Sequence, residues 1–298
     1  MTVSPPIRPA SAAVSQPSSQ DHAVSHNDGR KLVVLTGASG GIGALIAQDL
    51  ASRGYRLIAL CRSTPPLDPA LCLHIPCDLA SPDSLAQASA RIREKTDRIF
   101  AVIHCAGTIT PSPMSEATGA AIDAQIALNL AAPILLTRHL LPLMGHHASS
   151  ARMTGGETGR IVFVNSMAAV MPLAGSAVYA ATKAGLRSFA LSLAQELRSS
   201  GIRVGSVFPG AVQTDMLARE MAEGGSILNY VSTPLAPEKV AKAVVSQIER
   251  STGERFLPAM DGVFGKLCML MPPLLHLTLP LLGFLGRRGY RRSCKQPR

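Results

Sequence analysis

Short runs of apolar residues alternate along the chain with segments in which apolar residues recur every three or four positions. Continuous apolar runs typical of strands buried on both faces occupy 31–36, 56–61, 71–75, 99–104, 160–165, 202–208 and 255–258. The helical spacing extends from a glycine-rich turn to about Arg53, and then occupies 82–95, 119–144, 177–198 and 237–250. This regular alternation of strand and helix predicts an α/β fold built on a parallel sheet.

The first apolar run leads into a glycine-rich turn and then into a helical pattern. The turn reads Gly37-Ala38-Ser39-Gly40-Gly41-Ile42-Gly43. Glycines permit a tight turn and a close approach of the backbone to a pyrophosphate, and the helix N-terminus offers free N–H groups. The sequence therefore predicts a dinucleotide site here, although the glycine spacing differs from the commoner G-x-G-x-x-G fingerprint.

A serine, a tyrosine and a lysine form a second candidate site. Tyr179 and Lys183 lie four positions apart in the helical segment 177–198, so their side chains share one helical face. The apolar run 160–165 leads directly to Ser166. By themselves these residues also fit a surface tyrosine and lysine on an amphipathic helix, so other parts of the chain have to decide between the two interpretations.

Five motifs follow one another in the order typical of the short-chain dehydrogenase/reductase family: the glycine turn, Asp78, Ala106-Gly107, the set of Ser166, Tyr179 and Lys183, and the turn at 209–214. The glycine turn resembles the family's TGxxxGxG pattern, and the tyrosine and lysine resemble its YxxxK pattern. The resemblance runs from Lys31 to about Leu257. It implies a Rossmann-like, doubly wound parallel sheet of about seven strands in the order 3-2-1-4-5-6-7, with helices on both faces. It also implies hydride transfer between a nicotinamide and a carbonyl or secondary alcohol.

The resemblance implies catalytic roles for Asn129, Ser166, Tyr179 and Lys183. Tyr179 would be the general acid in ketone reduction, and Ser166 would polarise the substrate oxygen by hydrogen bonding. Lys183 would hold the ribose hydroxyls and, about 5 Å from the phenol, would lower the pKa of Tyr179 by about two units. Asn129 would keep a water in a proton relay at a helix kink, which Pro133 fits because proline has no N–H to donate to residue 129.

The resemblance also implies a set of cofactor-binding residues. They are Gly37, Ser39, Gly41, Ile42, Gly43, Arg62, Asp78, Leu79, Ala106, Gly107, Tyr179, Lys183, Pro209, Gly210, Val212 and Thr214. Asp78 would bind the adenine amine, and the alternative is an aspartate that caps a helix or closes a turn. The turn at 209–214 would hold the nicotinamide carboxamide.

The end of the second strand favours NADP(H) over NAD(H). Dinucleotide folds commonly place an acidic residue here to bind the 2′-hydroxyl of NAD. This chain has Cys61 followed by Arg62, so no carboxylate repels a 2′-phosphate and a guanidinium can hold one through a charge-assisted hydrogen bond. The alternative is a solvated arginine at a strand end.

Two features depart from the family's pattern. The usual Asn-Asn-Ala-Gly after the fourth strand is His104-Cys105-Ala106-Gly107 here, which removes asparagine side chains that normally bond to the central sheet. We interpret His104 as a structural replacement rather than a catalytic base. The polar stretch 145–159 predicts an inserted loop, and its two adjacent histidines have no third ligand at a fixed spacing, so we expect no metal site.

The net charge of +10 raises the question of a nucleic-acid partner. Six of the positive charges cluster near the C-terminus, at Arg287, Arg288, Arg291, Arg292, Lys295 and Arg298. Only 4% of residues are aromatic and no RNA- or DNA-binding motif is present, so we expect a small-molecule substrate and no nucleic acid. The six cysteines form no CxxC pair, which favours reduced thiols and a cytoplasmic location.

Both ends of the chain differ in composition from the predicted catalytic domain at 30–260. Residues 1–29 are rich in Ser, Pro, Ala and Gln and predict a disordered extension without the apolar core of a signal peptide. Residues 261–298 form an apolar extension with a basic tail. Lys266 and the prolines at 272 and 273 cut its apolar run, 263–285, into pieces shorter than the roughly 20 residues of a spanning helix.

Three interpretations of the C-terminal extension stay open. It is a hydrophobic lid or homodimer surface, an interfacial anchor on the cytoplasmic face of a membrane, or a transmembrane helix. The first two make the substrate entrance apolar, which favours a lipophilic ketone or alcohol, and residues 215–233 are a candidate mobile lid. The alternative function is a cofactor-binding regulator or membrane-tethered scaffold with the same fold, which would not need a complete catalytic set.

Overall fold

The computed structural model describes residues 29–145, 159–172, 174–250 and 253–293. Within these residues, seven parallel strands form one sheet in the order β3-β2-β1-β4-β5-β6-β7, which confirms the predicted fold class and strand order. The strands are β1 Leu32–Thr36, β2 Arg56–Cys61, β3 Cys72–Pro76, β4 Ala101–His104, β5 Arg160–Val164, β6 Arg203–Pro209 and β7 Glu254–Leu257. Residues 1–28 of the predicted extension at 1–29, residues 146–158 within the predicted insertion, and residues 294–298 lie outside the described residues.

Helices lie on both faces of the sheet. The α-helices are α1 Gly41–Ser52, α2 Pro82–Lys95, α3 Gly119–Ile126, α4 Ala132–Gly145, α5 Ala177–Glu196, α6 Asp215–Ala222, α7 Pro237–Glu249, α8 Ala259–Leu270 and α9 Pro272–Ser293. Short 3₁₀ helices occur at Met167–Ala169, Leu197–Ser199 and Ile227–Tyr230. The predicted bounds differ from these by at most two residues for most elements, as is usual at helix and strand ends.

The strands are continuously apolar because both faces of the sheet are buried. Successive residues of β1 show this alternation: Val33 and Leu35 pack with α1 and α7 on one face, whereas Val34 packs with α2, α4 and α5 on the other. The two largest fully buried side chains, Phe163 and Phe208, come from neighbouring strands β5 and β6. This double layer fixes the carboxyl ends of the strands at one edge, where the candidate site lies.

The segment predicted as one long helix at 119–144 contains a π-helical turn at Ala127–Ala131 between α3 and α4. The N–H of Ala132 donates to the carbonyl of Ala127, five residues earlier, and Pro133 has no N–H for residue 129. The predicted kink therefore has a structural counterpart. By length and composition Gly119–Met144 could cross a membrane, but Leu136 and Leu140 are buried against the central sheet, so it is a core helix.

The C-terminal extension forms two helices separated at Met271. The break lies at Pro272, as the sequence predicts, whereas α9 continues through Pro280 to Ser293 and is longer than the predicted pieces. Helix α8 packs on β7 and on Met167–Ala169, and α9 packs on Ile227–Tyr230. The extension is therefore folded onto the segment that follows α6, while the domain boundary near residue 260 stays a prediction.

Candidate active site

Lys183 is buried at the carboxyl ends of β4 and β5. Helix α5 delivers it there, and its side chain donates from Nζ to the carbonyl oxygen of Val164 at 3.2 Å. A Cβ on Gly107 would lie 3.5 Å from the same nitrogen, so the loop after β4 passes directly beside the ammonium. Burial lowers the pKa of Lys183 to about 8. The lysine thus remains cationic at neutral pH but is close to titrating.

Tyr179 lies on the same face of α5 as Lys183, with Nζ 5.7 Å from the centre of the phenol ring. Burial raises the pKa of Tyr179 to about 12; a hydrogen bond with Ser166 lowers it, and the negative charge of Glu220 raises it further. The spacing of Tyr179 and Lys183 predicted a lowered pKa for this phenol, and that prediction was wrong in sign. Loss of solvation outweighs the hydrogen bond with Ser166.

Ser166 follows β5 and begins the 3₁₀ helix Met167–Ala169. Its Oγ accepts a hydrogen bond from the N–H of Ala168 at 3.1 Å, and its own N–H donates to Oδ1 of Asn165 at 2.9 Å. These two contacts orient the serine and leave its hydroxyl proton available to another acceptor. The amide nitrogen of Asn165 is buried and has no hydrogen-bond partner in the described part of the chain, so a second donor is available beside Ser166.

Asn129 is completely buried in the π-helical turn. Its Nδ2 donates to the carbonyl oxygen of Thr108 and its Oδ1 accepts from the N–H of Thr108, each at 2.8 Å. A further bond from Nδ2 to the hydroxyl of Thr182 spans 3.3 Å. The side chain therefore fastens the loop after β4 to α5, and any water in this region would be held by backbone groups of the wide turn rather than by the Asn129 amide.

The glycine turn has the geometry of an anion cradle. Gly37 has a φ of +75° and Gly41 a φ of +54°, both in the region that favours glycine. A Cβ on Gly43 would overlap the carbonyl of Gly37, whereas Cβ atoms on Gly40 and Gly41 would meet no described atom within 4 Å. No side chain therefore crowds the start of α1, and no side chain caps its first N–H groups, so the residues present fit a pyrophosphate.

His104 and Cys105, which replace the family's two asparagines, are integrated into the core. The His104 ring stacks on Phe163 with centroids 4.8 Å apart, and its Nε2 lies 2.9 Å from the hydroxyl of Thr137. Burial lowers the pKa of His104 to about 3, so the ring is neutral at physiological pH. This confirms the interpretation of His104 as a structural residue.

Thr36 binds the loop after β4, which lacks the two asparagines of the family's pattern. Its Oγ accepts from the N–H of Cys105 at 3.0 Å and from the N–H of Ala106 at 3.1 Å. Sequence reasoning missed this residue. The available signal was a hydroxyl at the end of a fully buried strand, directly before the glycine turn.

Arg62 and Asp78 occupy the expected places at the ends of β2 and β3. Arg62 is exposed, and Cys61 before it contacts Ser39 of the glycine turn. The Oδ1 of Asp78 accepts from the N–H of Ala80 at 3.1 Å. Asp78 therefore forms a turn, which was the alternative prediction for it, and its binding of adenine stays a prediction. The cofactor-binding roles of Ile42 and Leu79 also stay predictions.

The turn at 209–214 joins β6 to α6. The N–H of Gly210 donates to the carbonyl of Leu257 at 2.7 Å, and Val212 is buried. The Thr214 hydroxyl donates to the carbonyl of Val212 and caps α6 by accepting from the N–H of Leu217. Pro209 is the last residue of β6. This turn lies beside the sheet edge that carries Ser166, as the cofactor prediction requires, but its role toward a nicotinamide stays a prediction.

Glu220 of α6 is a site residue that sequence reasoning missed. Its carboxylate accepts from Nδ2 of Asn229 at 2.7 Å, and burial raises its pKa. Its charge is close enough to raise the pKa of Tyr179. Glu220 lies in an amphipathic segment in which acidic residues are usually exposed, so no sequence signal indicated that it lies near Tyr179.

A model of the short chain dehydrogenase family matches residues 31–224. The chain belongs to the short-chain dehydrogenase family. This confirms the resemblance found in the motifs and makes the protein an oxidoreductase of that family. The matched range ends after α6, so α8 and α9 lie outside it.

Known short-chain dehydrogenases and reductases resemble this chain in sequence and fold. The 3-oxoacyl-[acyl-carrier-protein] reductase of Synechocystis is 30% identical over 228 residues, which cover 72% of this chain and 87% of that protein. The NADP complex of a short chain dehydrogenase from Burkholderia cenocepacia has a TM-score of 0.69 at 23% identity, covering 84% of this chain and 97% of that one. A 3-ketoacyl-(acyl-carrier-protein) reductase from Brucella melitensis, complexed with NADH, has a TM-score of 0.67 at 23% identity, covering 76% and 96%. At these identities the two structures show a shared fold.

Proposed function

We propose that this short-chain dehydrogenase is an NADP(H)-dependent oxidoreductase that interconverts a lipophilic ketone and its secondary alcohol. The observation that carries the proposal is the convergence of Ser166, Tyr179 and Lys183 at the carboxyl end of the sheet. The Lys183 ammonium lies beside the loop after β4 and within 5.7 Å of the phenol ring centre. A tyrosine and a lysine with only a structural role would not need the lysine ammonium to be buried beside the loop after β4.

In the proposed chemistry, Tyr179 and Ser166 both act on the carbonyl oxygen of the substrate. A bound nicotinamide supplies or accepts the hydride. Tyr179 donates its phenol proton to the carbonyl oxygen during reduction, and a pKa of about 12 keeps the phenol in this acid form at neutral pH. Ser166 donates a hydrogen bond to the same oxygen as negative charge develops on it.

Lys183 and the π-helical turn would complete the proton route. The buried ammonium has donors left after its bond to Val164, and we propose that it binds ribose hydroxyls. The wide turn at Ala127–Ala131 changes the hydrogen bonding of its backbone carbonyls, so that the carbonyl groups of Asn129 and its neighbours can hold a water between Lys183 and solvent. Protons would pass along this route to restore the phenol after each turnover.

The proposal favours NADP(H) over NAD(H) because of Arg62. Arg62 is exposed directly after β2, and Cys61 before it contacts Ser39 of the glycine turn, so that no acidic residue occupies the end of the strand. Its structural neighbours include one complexed with NADP and one with NADH. The preference therefore depends on the residues of this chain and requires its own test.

A lipophilic substrate fits the chemistry around the site. The segment Ile227–Tyr230 packs against helix α9, and its Asn229 donates to Glu220, whose charge reaches Tyr179. We propose that this segment, which includes Ile227 and Leu228, forms a wall on the substrate side. The name of the Synechocystis relative describes a reductase of 3-oxoacyl groups. We propose a long-chain keto-lipid, an acyl derivative or a steroid-like ketone as the substrate class, with reduction as the favoured direction. Neither nucleic acid nor a metal ion is part of the proposal.

We also propose a cytoplasmic location, with residues 263–298 as the segment that meets either the cytoplasmic face of a membrane or a second copy in a homodimer. The support is the composition of this segment, which combines a long apolar run with seven Lys and Arg residues and no Asp or Glu.

Turnover of a ketone panel, followed by loss of NADPH absorbance, tests the proposal. Tyr179→Phe is expected to reduce kcat by at least about 100-fold, because the proton donor is lost while the ring remains. NADPH binding, measured by fluorescence titration, should stay within about threefold of wild type, since the phenyl ring preserves the packing. Near-normal turnover in this variant would refute the role of Tyr179. NADPH binding without turnover of any ketone by the unmodified protein would favour the regulator or scaffold instead.

A further inference from the structure

Helix α8 has the reverse of the usual surface-helix pattern. Its small residues face the domain: a Cβ on Gly262 would overlap Phe256, and a Cβ on Gly265 would lie 2.8 Å from Val170. Its large apolar residues face outward, at Met260, Val263, Leu267, Leu270 and the following Met271. A helix that only covers a protein core buries its large apolar side chains and exposes polar ones. The outer face of α8 is therefore shaped for another apolar environment.

Helix α9 repeats this arrangement over a longer distance. Its inner side is closed by Gly286 and Gly289, where added Cβ atoms would collide with the carbonyls of Ile227 and Tyr230. Its outer side carries Leu277, Leu281, Phe284, Arg288 and Arg291. This spacing of four, three, four and three residues forms one stripe along the helix. The stripe is apolar in its first half and cationic in its second half.

The exposed apolar side chains are too large and too contiguous to be scattered surface residues. Leu270 and Leu277 are each 79% exposed and Met260 is 74% exposed. Single exposed apolar residues are normal, whereas a continuous group on two consecutive helices marks an interaction surface. Together with the arginines of α9 these side chains form one surface, the outer face. It consists of Met260, Val263, Leu267, Leu270, Met271, Leu277, Leu281, Phe284, Arg287, Arg288, Arg291 and Arg292.

The charges of the outer face select an anionic partner. The sequence contains no Asp or Glu from 262 to 298. No ion pair joins the four arginines of α9 to any described residue, whereas Lys266 is already paired with Glu254 at 3.2 Å. A two-fold interface with a second copy would bring these cationic groups together without a carboxylate to neutralise them. An anionic lipid surface supplies both the apolar depth and the neutralising charge.

We propose that the outer face is a docking surface for a bilayer that contains anionic lipids. The apolar side chains of α8 and the first half of α9 enter the boundary between headgroups and acyl chains, and the arginines bind lipid phosphates. Both helices lie along the protein surface, held by their glycine contacts, so the chain rests on the bilayer without crossing it. This inference stands on the extension alone and does not depend on the proposed reaction.

Docking would place the substrate side of the protein next to the membrane. The inner side of α9 contacts Ile227–Tyr230, and Asn229 of that segment donates to Glu220, whose charge reaches Tyr179. The helix that meets lipid on one side thus supports the substrate-side wall on the other. A lipophilic molecule leaving the bilayer would meet this wall first.

Vesicle flotation with the full chain tests the docking surface. The protein is expected to float with vesicles of phosphatidylcholine and phosphatidylserine and much less with phosphatidylcholine alone, and added salt should weaken binding. Arg288→Ala combined with Arg291→Ala should weaken binding to the anionic vesicles by roughly 30-fold. Lys239→Ala combined with Lys242→Ala removes the same charge from an exposed face of α7 and should leave binding within about threefold.

A second variant separates the bilayer from a protein partner. Leu277→Gln, Leu281→Gln and Phe284→Gln together should abolish flotation while the thermal unfolding midpoint stays unchanged, because these side chains make few contacts within the domain. Light scattering of the unmodified protein without lipid gives its mass. A dimer that this triple variant converts to monomer, together with absent flotation of the unmodified protein, would overturn the proposal in favour of a second copy. Equal flotation with both vesicle types would also overturn it.

Discussion

Burial is the largest cause of the shifted pKa values of Tyr179 and Lys183. It raises the pKa of the phenol to about 12 and lowers that of the ammonium to about 8. At neutral pH the Tyr179 phenol is therefore protonated, and the Lys183 ammonium is charged but close to its pKa. This combination suits ketone reduction, in which the phenol must be protonated.

Ketone reduction is expected to slow as the pH rises through about 8, the pKa of Lys183. Below that pH the ammonium is charged and can bind hydroxyls and stabilise the phenolate left by proton donation; above it the charge is lost while Tyr179 is still protonated. The measurement is kcat/KM for NADPH-driven reduction between about pH 6 and pH 10. Lys183→Met should lower the rate and remove this decline, and a wild-type profile that is flat through about pH 8 would contradict the assignment.

Arg62→Ala is expected to raise the KM for NADPH by about 10- to 100-fold and to leave the KM for NADH nearly unchanged, because only NADPH presents a 2′-phosphate. Steady-state kinetics with both cofactors measure the effect. Arg93→Ala is the matched control, since Arg93 is an exposed arginine in the last turn of α2. Equal changes with NADPH and NADH would argue against contact with the phosphate.

Hydrogen bonds between the ends of neighbouring strands shape the loops around the site. The hydroxyl of Thr36 in β1 accepts from two N–H groups of the loop after β4, and the amide of Asn129 binds the same loop one residue beyond Gly107. The loop is thereby fixed from both sides of the sheet edge. This explains how it keeps its path although His104 and Cys105 replace the family's asparagines.

Thr36→Val is expected to lower the free energy of unfolding by about 1–3 kcal/mol, because two N–H groups lose their acceptor in a largely buried place. Thr36→Ser keeps the hydroxyl and should lose less than about 1 kcal/mol, mostly from the deleted methyl group. Urea unfolding of the three proteins provides the comparison. Similar stabilities for the valine and serine variants would show that the hydroxyl contributes little.

The sequence predicted the elements well where local chemistry and packing agree. Helix α2 has its predicted bounds because Ser81 caps it and Pro82 occupies its first turn. The kink near Asn129 was predictable from Pro133, although the π-helical form was not. Glu220 and Thr36 were missed because their roles depend on residues distant in the chain. The predicted direction of the Tyr179 pKa shift was wrong because residue spacing does not give the burial of the phenol.

The C-terminal extension is joined to the catalytic domain by charges as well as by apolar contacts. Glu254 of β7 pairs with Arg187 of α5 and with Lys266 of α8. Burial alone would raise the pKa of Glu254, but the hydrogen bonds and charges of Arg187 and Lys266 outweigh burial and lower it. One carboxylate thus connects helix α5, strand β7 and the extension.

Glu254→Gln is expected to reduce the free energy of unfolding by about 1 kcal/mol at neutral pH. Because the folded-state pKa of Glu254 lies below its unfolded value, the stabilisation is present above the unfolded pKa and disappears as the pH falls through the folded one. The variant and the wild type should therefore become equally stable in acid, as measured by urea unfolding. Glu249→Gln removes the exposed partner of Arg53 and should change stability less at every pH. A constant difference across the pH range would exclude the carboxylate charge as its source.

The position of α9 after all seven strands also sets the order in which the protein is assembled. Protein synthesis proceeds from the N-terminus, and completed parts begin to fold while later residues are still being added. All seven strands, the glycine turn and the Tyr179–Lys183 pair precede residue 258, so they exist before α9 does. Helix α9 is therefore the last described element to be built, and a chain ended by a stop codon before Pro272 would have every strand of the sheet but would leave Ile227–Tyr230 without the helix that packs on it.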